Sequence, residues 1–467
     1  MKKALVVVFA VLVIAVLAGG IFFRSRFESD PPQITVSTQA DTIGLAPFEV
    51  TVTDRGSGLK SVTATLSQGG TEQKLASEQF PVPTAERKIP VALAKLTGVK
   101  EGPAVLRVTA RDASLSHWLR GNEATLEKTF TIDITPPTLE LIADDRYINF
   151  GGVGAIVYRA SSDTATSGVR LGERFFPGFA GLVQGHPDHF FALFSHPYDA
   201  PADARPSIVA TDKAGNTREM RLSYELKNVK YRKSTIALSD SFLQNKVAPL
   251  LTDVAARQGT PKEVFVAVNK GLRKENEAKI AEVTSKATPS ILWKGAFGQL
   301  SNSKVEANFA DQRTYTYNGE AVDTAYHLGY DLSVTRNYPI EAANAGTVAF
   351  VGPLGIYGNT VIIDHGIGLF TLYGHQSAID VKVGDSVKKG QVIGKTGETG
   401  LAAGDHLHYG VYLDGVAILP VEWWDQKWID DNITPKLEGR SGHEIAEAQK
   451  PSKGARKAGT KRGRHTS

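Results

Sequence analysis

The sequence predicts a mostly β protein built from several domains, and three observations support this prediction. The chain has 467 residues, which is too long for one ordinary hydrophobic core. Short alternating runs, separated by Gly, Pro, Asn and Asp, fill much of residues 30–227 and 290–436, as is typical of β-strands. An apolar run stands at the N-terminus. We therefore predict two β-sandwiches, a short helical connector, a C-terminal antiparallel β domain and one N-terminal transmembrane helix.

The composition narrows the chemistry that the chain can perform. Its hydrophobic fraction of 42% is ordinary for a globular protein, and its net charge of only +4 gives no reason to expect nucleic-acid binding. The chain has no cysteine. Disulfides, thiolate metal sites and a cysteine nucleophile are therefore excluded, and any metal must be held by His, Asp or Glu.

Residues 1–29 are predicted to be a membrane anchor or a signal sequence. Lys2 and Lys3 precede an apolar or small run over residues 4–23, and such a helix of twenty residues spans roughly 30 Å, about the thickness of a bilayer core. A cleaved signal peptide is the alternative, with Ala18 closing a passable cleavage site. The run continues through Phe23, which favours the anchor. Both interpretations place the rest of the chain in the cell envelope, in the periplasm or otherwise outside the cytoplasmic membrane.

Residues 30–134 and 135–227 form an internal repeat. Asp30-Pro31-Pro32 opens the first unit and Thr135-Pro136-Pro137 opens the second, and each unit closes on an alternating strand. Both resemble bacterial immunoglobulin-like domains, which implies two β-sandwiches. Their simplest role is to hold the C-terminal domain away from the membrane; binding of a wall polymer or an envelope protein is the alternative.

Residues 228–289 change from strand-like to helical patterning. Thr260-Pro261-Lys262-Glu263 resembles a capping box with proline at the first helical position, and an earlier helix is expected to begin near Ser239, with a bend at Pro249. We predict a helical connector that packs on its neighbour or covers a site. At the other end of the chain, the polar and basic stretch 437–467 is predicted to be a disordered tail.

In the C-terminal β domain, residues 290–436, four histidines and one aspartate are candidates for a metal or catalytic site. In His406-Leu407-His408 the two imidazoles share one face of a strand, so both can meet one metal, or one can bind metal while the other acts on substrate. His327 and Asp331 would be roughly 13 Å apart on an ideal strand, which is too far for one zinc ion. The chain must therefore bend at Gly329 if both residues bind the same metal.

Residues 309–420 resemble the lysostaphin/LytM-type zinc metallopeptidases, which cut peptide bonds in peptidoglycan. The resemblance rests on motifs in the family's order and spacing: His327-x-Gly-x-Asp331, Gly358-Asn359 through His365-Gly366, Tyr373-Gly374-His375, Val383-Gly384 through Ile393-Gly394, and Gly404-Asp405-His406-Leu407-His408. It implies that one Zn²⁺ is held by His327, Asp331 and His408, and that His375 and His406 are the catalytic pair. His365 has no catalytic role in this scheme and is interpreted as structural.

The resemblance implies a zinc endopeptidase that hydrolyses stem or cross-bridge peptides of peptidoglycan during cell-wall remodelling. Asn359, Arg313 and Tyr317 are candidates for gripping the substrate. The alternative is a catalytically silent regulator of other murein hydrolases. Regulators of that kind have substituted ligand positions, whereas all five positions are intact in this chain.

Overall fold

The computed structural model describes Val13 and residues 27–448. Among these residues no helix is long and apolar enough to cross a membrane. Apart from Val13, the apolar run of the predicted N-terminal anchor lies outside the described residues. The chain divides into two compact units. One contains the described residues up to Pro137 together with residues 163–165 and 211–218, and the other contains the remainder.

The first unit is built on two sheets, as the alternating pattern predicted, whereas its immunoglobulin-like identity stays a prediction. One sheet has the order β1-β3-β6 and the other β2-β8-β7-β4-β5. A dense apolar core lies within the unit and includes Val50, Leu106 and Phe130, each fully buried. The elements are β1 (Gln33–Val36), β2 (Thr42–Ile43), β3 (Phe48–Thr53), β4 (Leu59–Gln68), β5 (Thr71–Thr84), β6 (Glu86–Val91), a 3₁₀ turn (Leu93–Lys95), β7 (Gly102–Asp112), the short turn α1 (Ser116–Leu119) and β8 (Glu123–Ile132).

The second predicted sandwich also contains two sheets, each of four strands, with the orders β14-β15-β11-β9 and β13-β12-β16-β17. In addition, β10 pairs with β18. Its core is continuous with that of the C-terminal β domain, because Phe191 and Trp423 belong to one cluster of buried residues. The strands are β9 (Leu139–Ala143), β10 (Tyr147–Asn149), β11 (Val153–Ala160), β12 (Thr164–Leu171), β13 (Arg174–Pro177), β14 (Phe179–Ala180), β15 (His189–Ser195), β16 (Ser207–Asp212), β17 (Thr217–Arg221) and β18 (Glu225–Lys227).

The predicted connector is only partly helical. It begins with a strand, β19 (Lys233–Ala237), that pairs in parallel with a strand of the C-terminal domain. Ser239 caps the first helix, and Thr260 and Glu263 form the predicted capping box. The helical stretches are α2 (Asp240–Phe242), a π segment (Leu243–Val247), 3₁₀ turns (Ala248–Leu250 and Ala256–Gln258), α3 (Pro261–Val266), a second π segment (Ala267–Leu272) and α4 (Arg273–Thr284).

The C-terminal domain is formed mainly by an eight-stranded sheet in the order β20-β23-β31-β27-β26-β25-β29, with β32 on β31. The remaining strands of this part of the chain form two three-stranded sheets, with the orders β19-β21-β22 and β24-β30-β28. The strands are β20 (Lys304–Ala307), β21 (Gln312–Tyr317), β22 (Glu320–Tyr326), β23 (Tyr330–Ser333), β24 (Pro339–Glu341), β25 (Gly346–Pro353), β26 (Asn359–Asp364), β27 (Leu369–Gly374), β28 (Ala378–Ile379), β29 (Ser386–Val387), β30 (Val392–Lys395), β31 (Leu407–Leu413) and β32 (Val416–Ile418), with a 3₁₀ turn at Gly355–Tyr357.

The structure differs from the prediction of a disordered tail that begins at residue 437. Ser441 and Glu444 form reciprocal hydrogen bonds at the start of a helix, and Ile445 packs into the core. This Ser-x-x-Glu capping box was a readable helix signal that the basic composition obscured. The C-terminal helices are α5 (Pro420–Trp424), α6 (Gln426–Asn432), α7 (Thr434–Leu437) and α8 (Gly442–Ala448). The remainder of the predicted tail lies outside the described residues.

Candidate metal centre and active site

Strand pairing places two of the predicted metal ligands side by side. β23 runs antiparallel to β31, and in their register Asp331 stands directly opposite His408. His327 lies in the irregular residues between β22 and β23, and the chain bends at Gly329 as predicted. A Cβ atom at position 329 would lie 2.7 Å from His408 Nε2 and 2.5 Å from the Tyr409 carbonyl oxygen. Only glycine therefore permits this close approach.

The three predicted ligands converge on one point. His327 Nε2 lies 2.9 Å from Asp331 Oδ1 and 3.0 Å from His408 Nδ1, and His408 Nδ1 lies 3.0 Å from Asp331 Oδ1. Atoms bound to one tetrahedral zinc at about 2.0–2.2 Å lie roughly 3.3 Å from one another. The observed separations are close to that value.

The hydrogen bonding of this triad also favours a cation. His327 Nδ1 lies 2.9 Å from the Asn308 carbonyl oxygen, which can only accept, so this nitrogen carries the proton of the neutral ring. The Nε2 atom then presents a lone pair to the Asp331 carboxylate, which also presents lone pairs. A metal ion at the centre removes that repulsion, and two imidazoles with one carboxylate form a donor set that suits zinc. The residues therefore fit the metal that the sequence implied.

Arg313 holds the other oxygen of the aspartate. Its Nη2 atom lies 3.2 Å from Asp331 Oδ2, which leaves Oδ1 to face the two histidines. Arg313 thus contacts a predicted metal ligand and also lines the adjoining cavity, so its expected contact with substrate stays a prediction. Burial raises the pKa of Asp331, but His327, His406 and His408 outweigh burial and hold that pKa well below its usual value. The carboxylate is therefore ionised and available to a metal at neutral pH.

His375 and His406 stand beside the triad. Their ring centroids are 4.7 Å apart, and the His375 ring is 5.9 Å from that of His408. His375 follows β27 with a φ of 62°, a left-handed conformation that is uncommon for residues other than glycine and that clusters at functional sites. His406 lies just before β31, in a bridge with Gly397 rather than on the predicted strand.

Both of these rings are oriented by backbone carbonyls. His375 Nδ1 donates to the Thr399 oxygen and His406 Nδ1 donates to the Gly404 oxygen, each at 2.8 Å. In each neutral ring the Nε2 atom is therefore the proton acceptor. Burial, followed by the charges of His406 and His408, lowers the pKa of His375 well below its usual value. Burial also lowers the pKa of His406, but the hydrogen bond and charge of Asp331 outweigh it and raise the net pKa.

The structure assigns the remaining predicted residues to supporting contacts. His365 is fully buried and bonds the Ala345 carbonyl oxygen and Thr371 Oγ1, each at 2.7 Å, which agrees with its structural interpretation. Asn359 donates from Nδ2 to the Gln376 carbonyl oxygen. Tyr317 donates its hydroxyl to Asp240. The substrate role that the sequence suggested for these two residues stays a prediction.

A cavity of about 250 Å³ opens onto the histidines and the aspartate. Its lining includes the five site residues and Tyr357, together with Ile236, Phe242, Phe265 and Arg273 from residues 233–284. Sequence patterning identified the helices of this segment but gave no sign that they line the cleft. Arg273 in particular carried no motif, and only its position in the folded chain identifies it.

The site lies within a recognisable family domain. Residues 325–420 match peptidase family M23. The chain is 41% identical over 95 residues to the DD-carboxypeptidase/endopeptidase Mpg of Neisseria meningitidis, a match that covers 20% of this chain and 22% of Mpg. It is 34% identical over 115 residues to the peptidoglycan DD-endopeptidase ShyA of Vibrio cholerae, covering 25% of this chain and 26% of ShyA. The matched segment thus spans about a fifth to a quarter of the length of these relatives.

Part of the chain is also similar in sequence to a solved structure. The catalytic domain of the antimicrobial peptidase lysostaphin from Staphylococcus simulans is 28% identical, with a TM-score of 0.24, and the match covers 28% of this chain and 98% of that domain.

Proposed function

We propose that the M23 domain at the C-terminus of this chain is a zinc endopeptidase that hydrolyses peptide bonds of peptidoglycan. The observation that carries the proposal is the convergence of His327 Nε2, Asp331 Oδ1 and His408 Nδ1 within 2.9–3.0 Å, with His375 and His406 beside them. Zinc held by His327, Asp331 and His408 would polarise the scissile carbonyl and lower the pKa of bound water.

The two outer histidines perform the proton transfers in this proposal. The Nε2 atoms of His375 and His406 accept a proton from the attacking water and return it to the leaving amine, which is the ordinary work of a positioned imidazole. Their Nδ1 bonds to Thr399 and Gly404 hold the rings in the orientation for that task. Protonated His406 also stabilises the oxyanion of the tetrahedral intermediate.

The remainder of the chain supports delivery to the cell wall. In this proposal the N-terminal segment anchors the protein in the inner membrane, the two sandwiches hold the peptidase domain at a distance, and the domain acts on stem or cross-bridge peptides in the periplasm. The relatives named as peptidoglycan or DD-endopeptidases support the substrate class.

A direct test measures metal and product together. The full-length chain and its His408→Ala variant are assayed for zinc content and incubated with purified sacculi. We expect about one zinc per wild-type chain and new peptide ends in the muropeptide profile, and neither from His408→Ala. His443→Ala, at an exposed position on α8, serves as the matched control. Zinc-loaded wild type that leaves the muropeptide profile unchanged would favour the alternative, a silent regulator of other murein hydrolases.

A further inference from the structure

Three carboxylates converge in the first unit, far along the sequence from the peptidase site. Glu28 precedes β1, Asp54 follows β3 and Asp112 ends β7, and oxygen atoms of all three lie within 4.8 Å of one another. Asp54 is 6% exposed and Asp112 is fully buried. Burial, the charge of Glu28 and the charge of Asp112 each raise the pKa of Asp54. The cluster thus concentrates negative charge where water is largely excluded.

No charged partner offsets this concentration within the described residues, since the ion pairs there involve none of the three carboxylates. One oxygen of Asp54 accepts from Gly56 and Gly58 N–H, and one oxygen of Asp112 accepts from Ser114 and Asn122 N–H. These bonds orient the carboxylates, but they do not neutralise three charges.

Two further oxygen atoms beside the cluster are buried and have no hydrogen-bond partner among the residues that the structure describes. They are Asn122 Oδ1 and Ser57 Oγ, on residues only 3% and 9% exposed. The Asn122 amide lies among the carboxylates, because its Nδ2 atom donates to Asp112 Oδ2 at 2.7 Å and to the Glu28 carbonyl oxygen at 3.0 Å. The Ser57 backbone N–H donates to the Glu28 carboxylate. A buried oxygen without a hydrogen-bond partner is unfavourable, and a cation bound among the carboxylates would satisfy both atoms.

The same arrangement recurs at the equivalent position of the repeat. Asp133, Asp163 and Asp212 form a second cluster, also within 4.8 Å. Asp133 stands three residues before Pro136, as Glu28 stands three residues before Pro31.

The second cluster also repeats the amide and the unpaired oxygen. The Asn216 amide donates to the Asp133 carbonyl oxygen at 2.8 Å and to Asp212 Oδ2 at 2.9 Å, as the Asn122 amide does in the first cluster. Asp163 Oδ1 is again buried without a partner. Recurrence of one arrangement at equivalent positions of the two sequence repeats argues that it is a built feature rather than an accident of one loop.

We propose that Glu28, Asp54, Asp112 and Asn122 bind a Ca²⁺ ion, and that Asp133, Asp163, Asp212 and Asn216 form a second site of the same kind. Carboxylate, amide and carbonyl oxygens are the hard ligands that calcium takes in groups of six to eight, with tolerant geometry. Zinc instead favours nitrogen and sulfur, and Mg²⁺ demands near-octahedral geometry.

The two sites differ in strength. Lys213, Asp133 and Asp163 line a common cavity. Lys213 occupies the position at which the first sequence repeat has Ala113. An ammonium near the carboxylates opposes a divalent cation by charge repulsion, so the second site binds more weakly.

Calorimetric titration of the zinc-loaded, full-length chain with CaCl₂ tests the proposal. We expect two binding events in wild type, and a loss of about tenfold or more in the affinity of the stronger one in Glu28→Gln. Glu28 is only half-buried, so this variant is expected to fold. Glu72→Gln, on an exposed position of β5 in the same unit, is the matched control.

Hydrogen exchange gives a local readout. Calcium is expected to slow amide exchange in residues 54–58 and 112–122 of wild type and of Glu72→Gln, and not of Glu28→Gln. Three results would overturn the proposal: no calcium binding by wild type at 10 mM, equal affinities in Glu28→Gln and Glu72→Gln, or Mg²⁺ binding as tight as Ca²⁺. His408→Ala, which disables the zinc site, is expected to leave calcium binding unchanged, so failure of either proposal is seen separately.

Discussion

The two walls of the active-site cleft are built on different principles. In one part of the lining, the sheet wall, β23 and β31 pair so that Asp331 faces His408, and strand register sets the position of these two groups. The other part, the helical wall, consists of Phe242, Phe265 and Arg273, which come from a segment of short α, 3₁₀ and π pieces. That wall presents two aromatic rings and one guanidinium and no group suited to acid–base chemistry.

This difference suggests that the sheet wall performs the chemistry and that the helical wall recognises the substrate. Groups that bind metal or move protons must be held within a few tenths of an ångström, and strand pairing and backbone carbonyls supply that precision. Binding of substrate by the helical wall requires only a complementary shape and charge. We therefore expect substitutions on the sheet wall to affect turnover and metal, those on the helical wall to affect substrate binding, and those remote from both to affect stability alone.

The largest effect is expected at the catalytic pair. His375→Ala and His406→Ala should each lower kcat on peptidoglycan peptides by about 10²–10⁴-fold, because each removes a positioned proton acceptor. Zinc content should remain near one per chain, since neither residue is a predicted ligand. Muropeptide release and metal analysis measure the two quantities. Loss of zinc together with activity would show that these histidines belong to the metal site.

The next largest effect is expected at Arg313, which contacts the predicted ligand Asp331. Arg313→Gln should weaken zinc binding by about 10–100-fold, because partners of ligating carboxylates have effects of that size. Arg313→Lys keeps the charge but loses the fork of donors, so an intermediate affinity is expected. Competition with a zinc chelator provides the affinities. An unchanged affinity in Arg313→Gln would remove Arg313 from the support of Asp331.

A smaller effect is expected on the helical wall. Arg273 is bonded only to Asn269 in the described residues and lines the cleft, so its guanidinium is placed to bind a carboxylate of the peptide substrate. Arg273→Gln should raise KM by about tenfold with little change in kcat, since a hydrogen bond to a charged group contributes about 1.5 kcal/mol or more.

Two controls make the Arg273 result specific. Lys274→Gln changes an exposed cation on the same helix and should leave KM unchanged. A peptide with amidated carboxyl groups should be cleaved with the same KM by wild type and Arg273→Gln. Equal sensitivity of the acid and amidated peptides would contradict a carboxylate-binding role.

The smallest effect is expected at the far end of β31 from His408. Asp414 and Gly415 have φ of 46° and 82°, as in a type I′ hairpin turn, and burial raises the pKa of Asp414 to about 7. A raised carboxyl pKa means that folding is favoured with the group protonated, so its contribution to stability is lost as pH rises from about 4 through 7.

Asp414→Asn removes this titration and keeps a residue that tolerates positive φ. The Tm difference between the variant and wild type should be close to zero at pH 4 and reach a few degrees in favour of the variant at pH 8. Peptidase activity at 25 °C should not change. Parallel Tm profiles of the two proteins across this pH range would disprove that the Asp414 carboxyl causes this loss of stability.

Several parts of this architecture could be predicted from the sequence because their signals are local. The capping box at Thr260, the N-cap at Ser239 and the bend at Gly329 each depend on a few neighbouring residues, and each was found where it was expected. The basic composition of the C-terminal stretch hid an equally local signal, the capping box at Ser441 that begins α8.

Other parts were beyond sequence reasoning because they depend on long-range pairing. β19 joins β21 in parallel, and a parallel pair needs a long crossover connection. The helical segment is that crossover, and the pairing is what places Arg273 on the cleft. β28 is likewise limited by pairing: it is only two residues long, because its pairing with β30 ends at Ile379.

The sequence by itself determined which chemistry is possible. Without cysteine, the ligands of any metal had to be His, Asp or Glu, and the resemblance carried by the motif order predicted His327, Asp331 and His408 for metal and His375 and His406 for catalysis. Only the tertiary structure decided that three ligand atoms from segments some eighty residues apart lie 2.9–3.0 Å from one another. That separation is fixed by the register of β23 on β31, a property of two paired strands that neither strand carries alone.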